Sequence, residues 1–501
     1  MSRKKKFLFN TGAGILKQFV TVICGFILPR YMLLYYGSSV YGLISSITHF
    51  LSFISLLDLG VGAVIQANLY KPLVEKNNAQ ISQIVKSSER FFKRLAYIFI
   101  GYIIVLCFVF PRIIEFDTWY TVSLLLIIAI STIAQYLLGM TYELLLNADQ
   151  KSYVQLLMQI GTIVLNTVFA IILMRMGASI HIVKLMTATF FVLRPLGQML
   201  YVHKHYDLDR KIELVGEPIK QKWNGFSQHF ASVVCQNVDV TVLTLFSSLK
   251  NISVYSVYYN VINGVEQVVM TATTGLEALF GNMIAKGENE KLSKTFCAVE
   301  WMTHAGVTAI FTIAGITIVP FISVYTRGIS DANYIAPLFG MLLVMAYGME
   351  CFRIPYFRII KAAGHFKETQ NGAYISAGLN IVITISLVFK YGLIGAAVGT
   401  LVAMFYHTCY FVMYLRKNIL NRSAKHFVGY IITDAVVAVT SFFITKQYVI
   451  ICESYLNWVV LALKASAVVL MISSAVNLII YRAQIESMVR LLGSVKSHSQ
   501  K

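Results

Sequence analysis

Fourteen apolar stretches, each of roughly twenty residues or more, follow one another along the chain with short polar breaks between them. Inside a bilayer the peptide groups have no water to bond, so only helices and closed barrels can span it. Barrel strands alternate apolar and polar residues over roughly ten positions. These runs are continuous and long enough to cross a hydrocarbon core of about 30 Å as helices. The sequence therefore predicts an all-α polytopic membrane protein with spans over 9–30, 40–69, 93–114, 118–146, 153–175, 180–202, 223–248, 252–284, 297–326, 333–357, 370–390, 391–415, 426–448 and 455–481.

The basic start, "MSRKKK", precedes an apolar run with no small-residue cleavage site, and it reads as a retained first span rather than a signal peptide. With that start placed in the cytoplasm, thirty of the 42 Lys and Arg fall in cytoplasmic segments. Seven fall outside: Arg30, Arg112, Arg175, Lys250, Arg327, Lys390 and Lys446. This asymmetry is the positive-inside pattern and predicts both termini on the cytoplasmic side. It also explains the formal charge of +19 as a coat facing anionic headgroups, with no need for nucleic acid. The seven cysteines are scattered singly, without metal-ligand spacing.

The two halves repeat at an offset of 214 or 215 residues. Asn10 matches Asn224, Gly60 matches Gly275, "LN" at 165 matches "LN" at 379, and Gly177 matches Gly392. A repeat of six helices is even, so the copies run parallel, with a polar cavity expected between them and alternating access as the working motion. The expected division is 1–210 for the first lobe, 211–422 for the second, and 423–501 for two further helices with a basic amphipathic tail.

Charged residues inside spans normally face protein or water. The basic ones are Lys17, Lys184, Arg194, Arg353 and Lys464, with Arg30 at the outer rim of the first span. Lys17 lies eleven residues past Lys6, roughly 16 Å along a helix and near mid-bilayer. Arg194 stands at a similar depth and precedes Pro195, which kinks the span. Of the acidic residues, Asp58 is deep enough to meet Lys17 or Arg194, and Glu350 stands three residues from Arg353 for a local pair. Glu143 and Asp239, with Asp58, are candidates for ion pairing or for coupling to H+ or Na+. Unlike charges converging at mid-depth describe a cavity for a substrate with anionic and polar parts. No G-x-x-x-x-G-K-S/T loop occurs, so direct use of ATP is not expected, and no other cofactor is implied.

The stretch "ILPRYMLLYYGSSVYGLISSITHFLSFISLLDLGVGAVIQANLYKPL", residues 27–73, resembles the oligosaccharide flippases of the polysaccharide-transporter family, and "KAAGHFKETQ" before the eleventh span extends the resemblance. Multidrug exporters of the MATE type and lipid II flippases belong to the same superfamily. The resemblance implies two six-helix lobes of MATE-like form. It also implies movement of an undecaprenyl-pyrophosphate-linked oligosaccharide repeat unit from the inner to the outer leaflet of a bacterial plasma membrane. The implied setting is assembly of capsule, exopolysaccharide or a related cell-wall polysaccharide, with polysaccharide polymerase and export machinery as partners. Lipid II flippases use basic residues of the first helix for pyrophosphate, and Lys17 occupies a comparable place. Arg194 and Arg353 are expected as further partners of the anion, with Asp58 holding the cluster when it is empty. The alternatives on the same fold are a lipid II flippase and a cation-coupled multidrug exporter. A membrane-embedded polymerase or ligase would need sizeable outer loops, which are missing here, so no enzyme activity is expected.

Overall fold

The computed structural model describes residues 3–58, 61–114, 116–209, 211–212, 226–420, 422–446, 452–482 and 484. The amphipathic tail expected beyond Arg482 lies outside the described residues, apart from residue 484, and so do Asn224 and Gly60 of the repeat. The described residues form helices and turns with no strand. Among the described residues thirteen helical stretches are long and apolar enough to cross a membrane. The first, Leu8–Asp58, has 51 residues. That is about 75 Å of helix, more than twice a hydrocarbon core, so it makes two crossings and the fourteen predicted spans are recovered.

The two crossings meet at Gly37, where α1 (Arg3–Ser52) leaves helical geometry with φ 78° and ψ 171°. The second crossing is itself irregular. It passes through a 3-10 turn (Phe53–Asp58) before α2 (Val61–Glu75), an interruption that its apolar pattern hides. Then come α3 (Asn78–Ile113) and α4 (Thr118–Ala134), each opened by a side-chain cap. Asn77 accepts from the Gln80 N–H at 3.0 Å, and Asp117 from that of Tyr120 at 2.7 Å. The fourth crossing continues through a π-turn (Gln135–Gly139) into α5 (Met140–Ala148). After α6 (Ser152–Arg175), α7 (Ile180–His205) and α8 (Phe226–Phe246), the second half runs through α9 (Leu249–Ala272), α10 (Leu276–Ala285), α11 (Asn289–Tyr325), α12 (Pro337–Ala362), α13 (Gln370–Tyr391), α14 (Leu393–Asn418), α15 (Lys425–Lys446) and α16 (Tyr455–Ile480).

The chain divides into two units, Met1–Ser253 and Val254–Lys501, rather than at residue 210. The seventh crossing, α8, belongs with the first unit because it is hydrogen-bonded to the second arm of α1 and the turn after it. Ser46 and Thr244 hydroxyls meet at 2.8 Å, and the side-chain amide oxygen of Asn237 accepts from Ser52 at 2.6 Å and bonds His49 at 2.9 Å. His229 donates to the Ser55 carbonyl at 2.7 Å.

The repeat read from the sequence has physical counterparts in both units. The second crossing of each half is interrupted, at the 3-10 turn in one and at residues 273–275 between α9 and α10 in the other. The crossing that follows is long in both, 36 residues in α3 and 37 in α11. The matched glycines Gly177 and Gly392 both take positive φ, 77° and 52°, just beyond α6 and α13. That conformation lets the chain reverse at once into the next crossing, and an L side chain rarely adopts it.

In the first unit the first arm of α1 is tied to α6 and its flanking turns at both ends. Lys6 donates to the Asp149 carbonyl at 2.8 Å and to its carboxylate at 3.0 Å, while Asn10 bonds the Gln150 carbonyl at 3.0 Å and the Tyr153 N–H at 2.8 Å. Burial pushes the Asp149 carboxyl up, but hydrogen bonds from Lys151, Tyr206 and Lys6 outweigh that effect and hold it below its ordinary value. At the far end Arg175 donates to the Tyr31 hydroxyl at 3.1 Å, and Tyr36 to the Ala178 carbonyl at 2.7 Å.

In the second unit an aromatic-rich core of Phe280, Phe296, Tyr356, Phe411 and Phe427 joins α10, α11, α12, α14 and α15. The last two helices dock on α11 through polar ties as well as apolar contact. Trp301 donates to Asn477 at 2.8 Å, Trp458 to the Thr317 carbonyl at 3.1 Å, and His304 meets Asp434 at 2.6 Å. Such bonds hold helices in lipid, where burial of apolar surface gives little drive for one helix to meet another.

Gly392→Ala should lower the melting temperature of the detergent-solubilised protein by several degrees, because φ 52° with ψ −122° strains an alanine by about 1–3 kcal/mol. Gly378→Ala, in a helical stretch of α13 with open space around the added carbon, should leave it unchanged. Equal melting temperatures for the two variants would contradict the role given to the turn.

Candidate functional site

The π-turn organises the mid-depth polar groups of the first unit. One extra residue in a helical turn rotates successive side chains apart, and such turns recur at functional sites. Here Gln135 and Tyr136, adjacent in sequence, serve two different partners. Gln135 accepts from the Arg194 guanidinium at 2.9 Å and donates to the Glu143 carboxylate at 3.0 Å, so the amide relays between an arginine and a glutamate on two helices. Gly139 closes the turn and leaves room for Pro195. A Cβ at Gly139 would lie 2.9 Å from the proline's own. Arg194 is thereby held against the turn, and its Nε is buried without a partner. That leaves an N–H of a mid-depth cation unspent.

Tyr136 is buried and donates to both oxygens of Asp58, at 2.9 and 3.1 Å. Asp58 ends the 3-10 turn, and His229 of α8 lies within electrostatic reach of it. Among the described residues Asp58 therefore bonds a phenol, whereas the sequence reading had it meeting Lys17 or Arg194. The reason is local. The interruption of the second crossing turns the carboxylate toward the π-turn, and neither irregularity shows in the apolar pattern.

Lys17 is half-buried in the first arm of α1 and forms no hydrogen bond or ion pair among the described residues. The glycines beside it, Gly12 and Gly14, have nothing within 4 Å of an added Cβ, so open space borders this part of the arm. Lys184, near the start of α7, is likewise half-buried and unpaired among the described residues. Arg30 is half-buried toward the Gly37 end of the same arm. Asp239 is almost fully buried in α8, two residues after Asn237.

The second unit has its own cluster. Arg353 of α12 pairs with Glu350 at 2.7 Å and also donates to Nδ1 of His407 on α14. Arginine offers only donors, so His407 Nδ1 is the acceptor, and the ring is the neutral tautomer with its hydrogen on Nε2. That Nε2 is buried without a partner. Glu266 of α9, 9% exposed, lies within electrostatic reach of both Glu350 and Arg353. With both carboxylates ionised the group carries two negative charges, one positive charge and a neutral imidazole, hence a net charge of minus one inside protein. Burial of such an excess is unfavourable unless a proton or cation neutralises it.

Lys464 takes no part in either cluster. The face that α16 buries runs through Leu461, Ala465, Val469, Ser473 and Asn477, and Lys464 falls outside it, exposed. Gln135, Tyr136 and His407 were absent from the sequence-level candidates. Their signal was faint: polar side chains within otherwise apolar runs, with nothing to say which partner each would find.

No family model matches the chain, and no curated protein matches it. Solved structures do. The lipid II flippase MurJ in its inward closed conformation gives a TM-score of 0.72 at 14% identity, covering 96% of this chain and 100% of that chain. This chain has the MurJ fold. An inward-facing multidrug resistance MATE family transporter of the MOP superfamily gives 0.53 at 11% identity, covering 80% of this chain and 94% of that one. The Vibrio cholerae MATE transporter VcmN in its bent form gives 0.53 at 12%, over 82% and 97%. The fold is thus that of multi-pass membrane flippases and exporters.

Arg353→Ala leaves Glu350 and Glu266 without their cation and should destabilise the protein by about 3–5 kcal/mol. Adding Glu350→Gln to the same variant should recover most of the loss in melting temperature. A double variant no more stable than Arg353→Ala would show that the pairing does not carry the stability of this cluster.

Proposed function

We propose that the chain is a flippase that moves an undecaprenyl-pyrophosphate-linked oligosaccharide repeat unit from the inner to the outer leaflet of a bacterial plasma membrane. The product would feed capsule, exopolysaccharide or related cell-wall polysaccharide assembly, where a polymerase and export machinery take it up. The observation that carries this reading is Lys17, a cation roughly halfway along the first crossing with no partner among the described residues and open space beside it. A half-buried ammonium inside a span without a counter-ion is unfavourable, and an anionic headgroup is the natural complement. The match to a lipid II flippase over nearly the whole length of both chains supports a lipid-linked substrate.

In this reading Lys17 supplies a strongly hydrated point charge with three donors, suited to a pyrophosphate that arrives and leaves. Arg194 adds the N–H it has not spent, held in place by the relay through Gln135. Lys184 extends the positive path along α7. Arg353, already engaged by Glu350 and His407, serves the charge balance of the second unit rather than the anion directly. Glu266 and Glu350 are the groups best placed for coupling, because one H+ or Na+ bound there removes the net negative charge of that cluster. Among the described residues the first unit sets an unpaired lysine, Lys17, about halfway along its first crossing, a charge suited to an anion rather than to the cation an exporter would carry.

The test is inversion of a fluorescent polyprenyl-pyrophosphate oligosaccharide in liposomes, followed by quenching from outside. Lys17→Ala should slow inversion at least about tenfold, and Lys17→Arg should recover part of it, while both variants keep the native melting temperature. Unchanged inversion in a folded Lys17→Ala protein would sink the assignment.

A further inference from the structure

One cavity of the second unit lies away from the clusters described above. It has a volume of about 630 Å³ and is lined by Met413, Arg416, Lys417, Arg422 and Ser423. It forms where α14 ends and the chain folds back. The Leu420 N–H bonds the Leu415 carbonyl at 3.1 Å and the Arg422 N–H bonds the Arg416 carbonyl at 3.3 Å, so three basic residues are brought around one opening. The helix terminus itself favours cations, since its last carbonyls carry partial negative charge.

Arg422 is built into place. It pairs with Glu300 of α11, which is 2% exposed and accepts at its other oxygen from the Tyr356 hydroxyl at 2.5 Å. Its guanidinium also stands 5.8 Å from the centre of the Phe296 ring. A fixed arginine that spends one face on a buried carboxylate keeps other N–H groups for a ligand. Arg416 and Lys417 are exposed and form no side-chain ion pair among the described residues. Two cations at the end of α12 do have an acidic partner. Arg358 and Lys361 share Glu277, at 3.5 and 3.1 Å. With Glu300 counted, the cavity retains two positive charges. Met413, one turn back along α14, adds an exposed apolar wall on the membrane side of the basic opening.

We propose that this cavity binds a phosphate-bearing group, supplied by the head of an anionic membrane lipid whose first apolar atoms rest on Met413. The site is separate from Lys17 and does not depend on which substrate is transported. It would be filled by resident lipid of the leaflet that borders the basic end of this unit.

The experiment is thermal unfolding of the purified full-length protein in detergent, titrated in turn with phosphatidylglycerol, phosphatidylcholine of the same chains, and sodium pyrophosphate. Phosphatidylglycerol should raise the melting temperature, with phosphatidylcholine giving less. The double variant Arg416→Gln/Lys417→Gln should weaken the phosphatidylglycerol affinity by at least about tenfold while the lipid-free melting temperature stays native. A pyrophosphate shift that the double variant abolishes, with none from phosphatidylglycerol, would keep the phosphate site and assign it to a soluble anion. Equal shifts from both lipids, no shift from any ligand, or undiminished affinity in the double variant would overturn the proposal. Loss of inversion in Lys17→Ala leaves these outcomes unaffected, so the two sites are judged separately.

Discussion

A charge placed at the centre of a membrane helix has to find a partner, a watery space or a ligand, and this requirement orders the polar chemistry of the chain. Transfer of one such side chain costs about 2.5–3.5 kcal/mol even on permissive scales. Arg194 meets the requirement through Gln135 and Glu143, Asp58 through Tyr136, and Arg353 through Glu350 and His407. Lys17 does so with no partner among the described residues. Its position is informative because the rest of the first arm is well anchored. Its ends are held to α6 and the flanking turns by Lys6, Asn10, Tyr31 and Tyr36, and the lysine lies between those anchors.

Irregular backbone is the means by which these pairs form. The π-turn lets neighbouring residues of one helix serve Arg194 on one side and Asp58 on the other. The 3-10 turn before α2 ends at Asp58 itself. In lipid, non-helical segments survive only where protein or a cavity satisfies their backbone groups. Both sit amid buried polar contacts, with the Ser55 carbonyl taken up by His229 and Tyr136 packed among Phe92 and Phe99. The second unit distributes its charges differently. It carries more carboxylate than it can neutralise around Arg353, and a fixed arginine with two open neighbours at the basic end.

Apolar run length made the architecture legible in the sequence. Fourteen crossings and the parallel repeat follow from hydropathy and a constant offset, and the matched Gly177 and Gly392 both take positive φ. The unit boundary was less visible, since the bonds that attach α8 to the first unit join residues nearly two hundred apart. Pairing was legible only where it was local. Glu350 and Arg353, three residues apart, could be matched by helix geometry, whereas Asp58 with Tyr136 or Arg353 with His407 depends on how separate helices rotate. Depth along the axis, which the sequence does supply, does not fix the direction in which a side chain points. Lys464 shows the difference, being inside a span by count and on the exposed face by packing.

The most direct measurement is made on the native protein in sealed liposomes, comparing inversion of a labelled polyprenyl-pyrophosphate oligosaccharide with efflux of a cationic dye. A lipid-linked substrate and an anion site at mid-depth predict inversion of the oligosaccharide lipid well above protein-free vesicles and no dye efflux. Dye efflux without inversion would contradict the account and turn the reading toward a cation exporter on the same fold.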